Sequence, residues 1–259
     1  MNTPPFSITF LGTGTSSGVP MIGCHCDVCR SNNAKDKRLR SSILVKTEQT
    51  TLVIDTTTDF RYQMLRIDNN KLDAVLYTHP HKDHIGGLDD IRPYNYFQKN
   101  SIHIYANELT EKHLKNDFYY AFAENKLPGL PDIKLHRIDL TPFYINDIPI
   151  IPILVWHLRM PVYGYRIGDF TYITDANRID EVEKDKIRGS KILVVNALRK
   201  EQHLSHFTLS EAIALAQELE VEQAYFTHIS HQLGLNDAIN NELPNGIRLA
   251  YDGLIIKMD

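Results

Sequence analysis

Cysteine, tryptophan and long apolar runs are all scarce in this sequence. The 259 residues include three cysteines and one tryptophan, and all three cysteines lie between Cys24 and Cys29. An odd, clustered set of this kind excludes a disulfide framework and favours a metal site in a reducing compartment. The apolar run 148–156 is broken by Pro149 and Pro152 and is too short to span a bilayer. Because residues 1–12 also show no secretory signal, the sequence predicts a soluble, cytoplasmic protein with no membrane partner.

An excess of positive charge is lacking as well. Lysine and arginine number 28 against 32 aspartates and glutamates, which gives a formal net charge of −4 and a pI near 6.3. Broad, sequence-independent binding of nucleic acid requires a basic face. We therefore predict no extended nucleic acid as a partner, whereas a small phosphate held by metal ions is compatible with this charge.

The pattern that is present is that of a globular α/β protein. Hydrophobic residues make up 42% of the chain, which allows a sizeable core, and without repeats or linkers we predict one domain over residues 1–259. The segment 126–132 (KLPGLPD) is the most loop-like stretch. Strands are predicted at Ser7–Leu11, Ser42–Lys46, Thr51–Ile54, Ala74–Tyr77, Ile102–Tyr105, Ile148–Trp156, Val162–Ile167, Thr171–Ile173, Ile192–Val195, Gln223–Phe226 and Leu254–Lys257. Helices are predicted at Thr58–Ile67, Glu108–Glu124 and Thr208–Leu219, the last with a capping box of Thr208 and Glu211.

The segment 73–88 (DAVLYTHPHKDHIGGL) contains the strongest chemical signal. After a strand-like run, His79, His81, Asp83 and His84 supply three imidazoles and one carboxylate, a dense set of ligands for first-row metals. Alternate residues of an extended segment share a face, so His79 and His81 can bind one ion together. A turn after Lys82 would direct Asp83 and His84 toward a second ion.

This H-x-H-x-D-H motif resembles the hallmark of the metallo-β-lactamase superfamily. The resemblance implies a four-layer αββα sandwich with two divalent ions, Zn or Mn, in the active site. It further implies that Asp55 supports the metal loop and that Asp175 bridges the two ions. The implied ligands of the first ion are His79, His81 and His157, and those of the second are Asp83, His84 and His228. From the residues alone, a turn aspartate or a core histidine remains an open interpretation for Asp55, His157 and Asp175.

The cysteines predict a second metal site. Cys24-x-Cys26-x-x-Cys29 places three thiolates in a tight loop, as tetrahedral zinc requires, and the fourth ligand is not adjacent. Such a loop near the N-terminus resembles the PhnP-like cyclic phosphodiesterases, in which a histidine three residues after the last catalytic histidine completes the site. On this resemblance His231 completes a structural zinc site and His228 belongs to the catalytic pair, although the two histidines compete for these roles.

The glycine-rich loop from Gly12 to Gly18 follows the first strand. It has one spacer residue too many for G-x-G-x-x-G, and a cysteine loop rather than an amphipathic helix follows it. We therefore predict a tight turn beside the metal cleft and no nucleotide site.

Asp83 and His206 are the predicted catalytic residues. Two ions that share a hydroxide lower the pKa of its parent water from about 15.7 toward about 7, and a proton must then reach the leaving oxygen. His206 lies just before the helix that starts near Thr208, in a setting similar to that of phosphodiesterase members of the superfamily, including ribonuclease Z-like ones. We predict it as the proton donor, with His203 as the local alternative.

The function predicted from these features is metal-dependent hydrolysis of a small phosphodiester through a metal-bridging hydroxide. The resemblance favours a cyclic phosphate, of the phosphoribosyl 1,2-cyclic phosphate or 2′,3′-cyclic nucleotide type, and suggests a homodimer. The alternatives are a ribonuclease Z-like tRNA endonuclease and a thioester or lactam hydrolase of the same fold.

Overall fold

The computed structural model describes residues 3–123 and 129–259. Its strands are β1 (Phe6–Gly12), β2 (Ser42–Lys46), β3 (Thr51–Ile54), β4 (Ala74–Leu76), β5 (Ile102–Ala106), β6 (Ile133–Arg137), β7 (Phe143–Ile145), β8 (Ile148–His157), β9 (Met160–Ile167), β10 (Phe170–Tyr172), β11 (Arg178–Ile179), β12 (Ile192–Asn196), β13 (Gln223–Thr227), β14 (Ile247–Leu249) and β15 (Ile255–Met258). Its α-helices are α1 (Asp27–Arg30), α2 (Phe60–Arg66), α3 (Lys82–Ile85), α4 (Arg92–Gln98), α5 (Glu108–Asp117), α6 (Glu181–Ile187), α7 (Leu209–Glu218) and α8 (Asn236–Glu242).

The strands form two sheets. The first has the order β15-β1-β2-β3-β4-β5-β6, and the second has the order β11-β8-β9-β10-β12-β13-β14, with β7 paired to β8. Strands β3, β4 and β5 run parallel to one another in the first sheet, as β12, β13 and β14 do in the second. Because the carboxyl ends of parallel strands meet at one edge of a sheet, loops that leave these strands converge.

Side-chain alternation along the strands divides the core into three apolar clusters, one between the two sheets and one between each sheet and the helices that cover it. Ile43 and Val45 face the space between the two sheets, while Leu44 faces the helices that cover the first sheet. In the second sheet Val194 faces the same central space, and Leu193 and Val195 pack against the other helix layer. This period of two in strands buried on both faces explains their continuous apolar runs. The predicted four-layer αββα sandwich is confirmed.

Helix α7 shows how local sequence sets an element boundary. The Thr208 hydroxyl accepts a hydrogen bond from the backbone N–H of Glu211, and the Glu211 side chain accepts one from the backbone N–H of Thr208. This is the predicted capping box. The buried residues of the helix are Leu209, Ala212, Leu215 and Ala216.

Other boundaries differ from the sequence prediction. Helix α5 ends at Asp117 and a 3₁₀ turn over Tyr119–Phe122 follows, because Phe118 leaves the helical conformation and packs into the core beside Ala121. Position 124, the predicted end of this helix, and residues 126–128 of the predicted loop lie outside the described residues. Among the described residues, no helix is both long and apolar enough to cross a membrane.

Candidate metal centre

The histidine-rich segment leaves the carboxyl end of β4. His79 is fully buried, and His81 is more exposed. The predicted turn after Lys82 is the one-turn helix α3, which starts at Lys82 and redirects Asp83 and His84. Gly86 and Gly87, which follow this helix, let its backbone approach that of Thr57 closely. A Cβ at Gly87 would lie only 2.1 Å from the Thr57 carbonyl oxygen. The metal loop therefore packs directly on the loop that follows β3.

Two of the three residues predicted for the first ion, His79 and His81, lie together with Asp175, whereas the third, His157, forms a separate group with Asp175 and His206. His79, His81 and Asp175 each offer a ligand atom, and these atoms all lie within 4.8 Å of one another. His79 Nε2 is 3.1 Å from His81 Nδ1 and 3.7 Å from Asp175 Oδ2. The His157 ring centroid lies 5.1 Å from that of His81, and the His157 Nδ1 faces the Ser205 carbonyl oxygen at 2.8 Å.

The residues predicted for the second ion form an adjoining group. Asp83, His84, Asp175 and His228 offer ligand atoms that again lie within 4.8 Å of one another. His84 Nε2 is 3.3 Å from both Asp83 Oδ2 and Asp175 Oδ1, and His228 Nδ1 is 3.0 Å from Asp175 Oδ1. Asp175 thus belongs to both groups, which is the position predicted for a bridging carboxylate.

The chemistry of these side chains fits metal ions. His84 Nε2 and His228 Nδ1 are buried and make no hydrogen bond of acceptable geometry, despite their short distances to carboxylate oxygens. A buried polar nitrogen without a partner is costly, whereas imidazole nitrogens and carboxylate oxygens directed at a common point are what a divalent ion requires.

Electrostatics favour the same interpretation. Burial lowers the pKa of His79, His81 and His228, so these rings are neutral at pH 7, the form that binds a metal. At His84 burial opposes the charged ring, but three surrounding carboxylates, led by that of Asp175, outweigh it and raise the pKa of His84 well above its ordinary value. The centre therefore stabilises positive charge, which a divalent cation supplies.

Asp55 supports ligands of both predicted ions. Its Oδ1 accepts a hydrogen bond from the Thr78 backbone N–H at 2.9 Å, and its Oδ2 accepts from the Thr78 hydroxyl at 2.8 Å. The same Oδ2 lies 2.7 Å from His84 Nδ1, and the Thr78 hydroxyl lies 2.9 Å from His79 Nδ1. Hydrogen bonds to the nitrogen that faces away from a metal fix the tautomer and orientation of a histidine ligand.

Backbone strain accompanies the site. Asp55, Asp175 and His228 have φ values of 67°, 56° and 55°, in the left-handed region that non-glycine residues rarely adopt. Each such residue costs of order 1–3 kcal/mol, and they cluster at functional sites where neighbours hold them in place. The strain here coincides with three predicted site residues on three separate loops.

The cysteine loop folds over the loop that contains His228. Cys24, Cys26, Cys29 and His231 form a third group with ligand atoms within 4.8 Å of one another, and His231 Nδ1 lies 3.4 Å from the sulfurs of Cys24 and Cys26. The hydrogen bond between Cys26 and His231 lowers the pKa of the Cys26 thiol to about 6, whereas burial raises the pKa of the Cys29 thiol to about 11. The structure thus separates His228 and His231 between the two sites in the predicted way.

His206 lies against the metal centre, and His203 is farther out. The His206 ring centroid is 4.6 Å from that of His157 and 4.9 Å from that of His228, and its buried Nδ1 has no hydrogen-bond partner. His203 is partly exposed, and its ring is 5.2 Å from that of His206. Of the two predicted donors, His206 is the one whose ring packs against predicted metal ligands.

Several supporting residues were not identified from the sequence. The Thr15 hydroxyl lies 3.2 Å from His228 Nε2, and the Thr78 hydroxyl contacts both Asp55 and His79. The Asn196 side chain exchanges two hydrogen bonds with the backbone of Ala176, which holds the loop of Asp175. A weak signal existed for Thr78, which directly precedes the motif, but these contacts depend on packing between distant segments.

The two sheets are joined by hydrogen bonds beside the metal loop. The backbone N–H of Tyr163, in β9, donates to the Thr78 carbonyl oxygen at 3.0 Å. The buried hydroxyl of Tyr165 donates to the Tyr77 carbonyl oxygen at 2.5 Å. The backbone that leads into His79 is therefore fixed from the second sheet.

Comparison with known proteins places this geometry in a family. Residues 50–229 match the family described as the β-lactamase superfamily domain. A crystal structure described as that of a new diphosphatase from the PhnP family is 41% identical, covers 99% of this chain and 98% of its own, and superposes with a TM-score of 0.93. Two more distant structures share the fold. The zinc-bound PqqB of Methylobacterium extorquens is 18% identical, and the match covers 97% of this chain and 100% of PqqB with a TM-score of 0.79. The human short-form tRNase Z is 17% identical, and the match covers 96% of this chain and 98% of that protein with a TM-score of 0.67.

One relative has a name that describes acyl transfer and not phosphoester hydrolysis. A protein of Porphyromonas gingivalis named octanoyltransferase is 38% identical over 248 residues, which are 94% of this chain but 50% of that protein. The chain thus spans half the length of this relative. The matched family, the 41% identical structure and the two adjoining ligand groups agree with the resemblance seen in the sequence. The chain belongs to the β-lactamase superfamily and, within it, to the PhnP family.

Proposed function

We propose that this chain hydrolyses a small phosphodiester, with a cyclic phosphate of the phosphoribosyl 1,2-cyclic or nucleoside 2′,3′-cyclic type as the leading substrate class. The observation that carries the proposal is the buried imidazole of His206, packed against the predicted ligands His157 and His228. An alkoxide that leaves phosphorus must receive a proton, and a positioned imidazole is the most common donor. The thiolate that leaves a thioester departs without a proton, so a thioester hydrolase has less need of this histidine.

In this proposal the metal pair is zinc or manganese, because imidazole and carboxylate ligands suit both. When bound, such a pair ionises water near neutral pH and neutralises the charge that develops on the phosphate. The thiolates of Cys24, Cys26 and Cys29 with His231 suit a structural zinc ion, which would contribute to folding stability.

His206 would transfer the proton to the leaving oxygen. Burial lowers the pKa of His206 to about 3, so the ring is neutral before substrate binds. An anionic phosphate beside the ring opposes this effect, because an opposite charge within a few ångströms favours the charged imidazolium. We propose that the ring gains its proton in the presence of substrate and donates it as the ester bond breaks.

A second candidate activity is hydrolysis of a diphosphate. It is favoured by the 41% identity to a protein described as a diphosphatase. In both reactions a nucleophile attacks phosphorus, so the metal pair would have the same role. The reactions differ in their leaving group, because a phosphate needs less protonation than an alkoxide. The two activities therefore differ in how far they should depend on His206.

Other reactions fit the molecule less well. Octanoyl transfer is proposed to belong to the half of the Porphyromonas gingivalis protein to which this chain does not align. A ribonuclease Z-like activity would require a surface that grips RNA, and the formal charge of −4 offers no basic excess for it. The partner we propose is a small phosphodiester, with neither a membrane nor an extended nucleic acid. The homodimer, the single domain and the cytoplasmic location stay predictions.

The test is a substrate panel on the purified chain loaded with Zn²⁺ or Mn²⁺. We expect turnover of bis(p-nitrophenyl) phosphate and faster turnover of a cyclic phosphate, with release of a phosphomonoester. Selective hydrolysis of a nucleoside diphosphate ester would favour the second candidate. Turnover of a chromogenic lactam or an octanoyl thioester, without any phosphoester activity, would refute the proposal.

A further inference from the structure

Thr15, in the glycine-rich loop, contacts the ring of a predicted metal ligand. Its hydroxyl oxygen lies 3.2 Å from His228 Nε2, and both side chains are buried. The contact is fixed by backbone pairing on either side of it. The Thr15 N–H donates to the Ile229 carbonyl oxygen at 3.1 Å, and the Ile229 N–H donates to the Thr13 carbonyl oxygen at 2.9 Å.

The two nitrogens of His228 face different surroundings. Nδ1 lies 3.0 Å from Asp175 Oδ1, at the second ligand group, and makes no hydrogen bond of acceptable geometry. Nε2 faces Thr15, whose hydroxyl is the one hydrogen-bond partner of this ring among residues 3–123 and 129–259. A neutral imidazole has one N–H and one lone pair, and the partner of one nitrogen decides which nitrogen has the lone pair.

We infer that Thr15 is a positioning residue for His228: its hydroxyl oxygen accepts the Nε2–H, so that the Nδ1 lone pair is directed at the second ion of the catalytic pair. The inference rests on the metal pair of the proposed function, but not on the substrate. It gives the glycine-rich loop a role that requires neither a nucleotide nor contact with substrate.

The backbone of His228 does not by itself fix the orientation of the ring. A φ of 55° is a sparsely populated conformation for histidine, and the ring must still point at Asp175. Backbone pairing with Thr13 and Thr15 holds the loop, but it leaves rotation of the ring free. The Thr15 hydroxyl is what distinguishes the two orientations, because a half-turn of the ring about the Cβ–Cγ bond would put carbon atoms where Nε2 meets Thr15 and where Nδ1 meets Asp175.

The inference is tested with two substitutions at one position. Thr15→Val keeps the shape of the side chain and removes the hydroxyl, and Thr15→Ser keeps the hydroxyl. The metal-free full-length chain is titrated with Zn²⁺ in competition with a chromophoric chelator. Because loss of an outer-sphere partner typically lowers metal affinity roughly 10- to 100-fold, we expect Thr15→Val to weaken one Zn²⁺ by that factor. Thr15→Ser should stay close to the wild type.

A control variant removes a buried hydroxyl elsewhere. Thr171→Val deletes a fully buried hydroxyl that contacts Ser190 at 2.8 Å in the second sheet, and it should lower stability without changing Zn²⁺ affinity. A second readout is the ¹⁵N NMR shift of the His228 ring in the zinc-loaded protein, which identifies the nitrogen bound to zinc. We expect Nδ1 in the wild type and in Thr15→Ser.

Two results would overturn the inference. One is wild-type Zn²⁺ affinity in Thr15→Val, and the other is a wild-type spectrum with zinc on Nε2 of His228. Neither measurement involves turnover. If the predicted affinity pattern is found in a chain that hydrolyses no phosphoester, the proposed function fails and the role of Thr15 stands.

Discussion

The substitution Asp55→Asn tests whether one buried carboxylate organises both halves of the metal centre. Asp55 Oδ2 lies 2.7 Å from His84 Nδ1 and accepts a hydrogen bond from the Thr78 hydroxyl. Asparagine keeps the shape but replaces one acceptor oxygen with an NH₂ group. If that group faces His84, the ring must change tautomer to accept from it, which puts a proton on the nitrogen that faces the second ion.

The expected magnitude follows from the bonds that are lost. A hydrogen bond to a charged group contributes about 1.5–3 kcal/mol. Loss of an outer-sphere partner costs roughly 10- to 100-fold in metal affinity, equivalent to about 1.4–2.8 kcal/mol. Both routes predict that the second ion binds at least about tenfold more weakly, with a smaller effect on the first ion, which Asp55 reaches through Thr78 and His79.

The assay is Zn²⁺ titration of the metal-free variant against a chromophoric chelator. Asp73→Asn is the matched control, because Asp73 accepts a hydrogen bond from the Thr51 N–H at 2.7 Å, at the opposite ends of the same two strands, β3 and β4. The control should retain wild-type affinity for both ions. If Asp55→Asn binds two ions as tightly as the control does, the carboxylate does not set the orientation of these ligands and the reasoning is wrong.

Four further substitutions test other parts of the molecule. Asp175→Ala should abolish turnover and lower the affinity of both ions by more than the roughly 10- to 100-fold of an outer-sphere partner; full activity would remove Asp175 from the bridge. Cys26→Ser should reduce bound zinc by one ion per chain and lower the melting temperature, and unchanged zinc content by elemental analysis would contradict the outer site. His206→Ala should slow hydrolysis of an alkyl phosphodiester by roughly 10²- to 10⁴-fold but that of a p-nitrophenyl ester much less; equal effects on both esters would dismiss the proton donor. Thr208→Ala should cost about 1 kcal/mol of unfolding free energy in urea, and an unchanged midpoint would show that the capping box adds nothing.

The candidate site could be predicted from the sequence because one motif is local, and because the resemblance to the metallo-β-lactamase superfamily assigned the distant ligands to residues that follow strands. His79, His81, Asp83 and His84 are local to one motif, and Asp175 and His228 each follow a run that is plainly a strand. Contacts such as that of Thr15 with His228 could not be predicted, because they join segments 213 residues apart. Their existence depends on how β1 and β13 are brought together by the fold.

The elements that were missed are short or lie at edges. Helices α1 and α3 have four residues each, too few for a hydrophobic period to appear. Strand β6 is at the edge of the first sheet, and its side chains are only partly buried or exposed. Its sequence (IKLHR) therefore resembles a loop. Strands β7 and β11 have three and two residues and exist because β8 offers them a partner.

The cross-sheet hydrogen bonds of Tyr163 and Tyr165 have a consequence for how the protein exchanges its ions. They hold the backbone before His79 in place by contacts that involve no ligand atom. Stripping the catalytic pair with a chelator should therefore leave this stretch of backbone in place, so that His79 keeps its position for reloading. One purified batch could then be charged with zinc, manganese or cobalt in turn, so that the choice of cation is decided by supply at the moment of loading and not by the folding history of the chain.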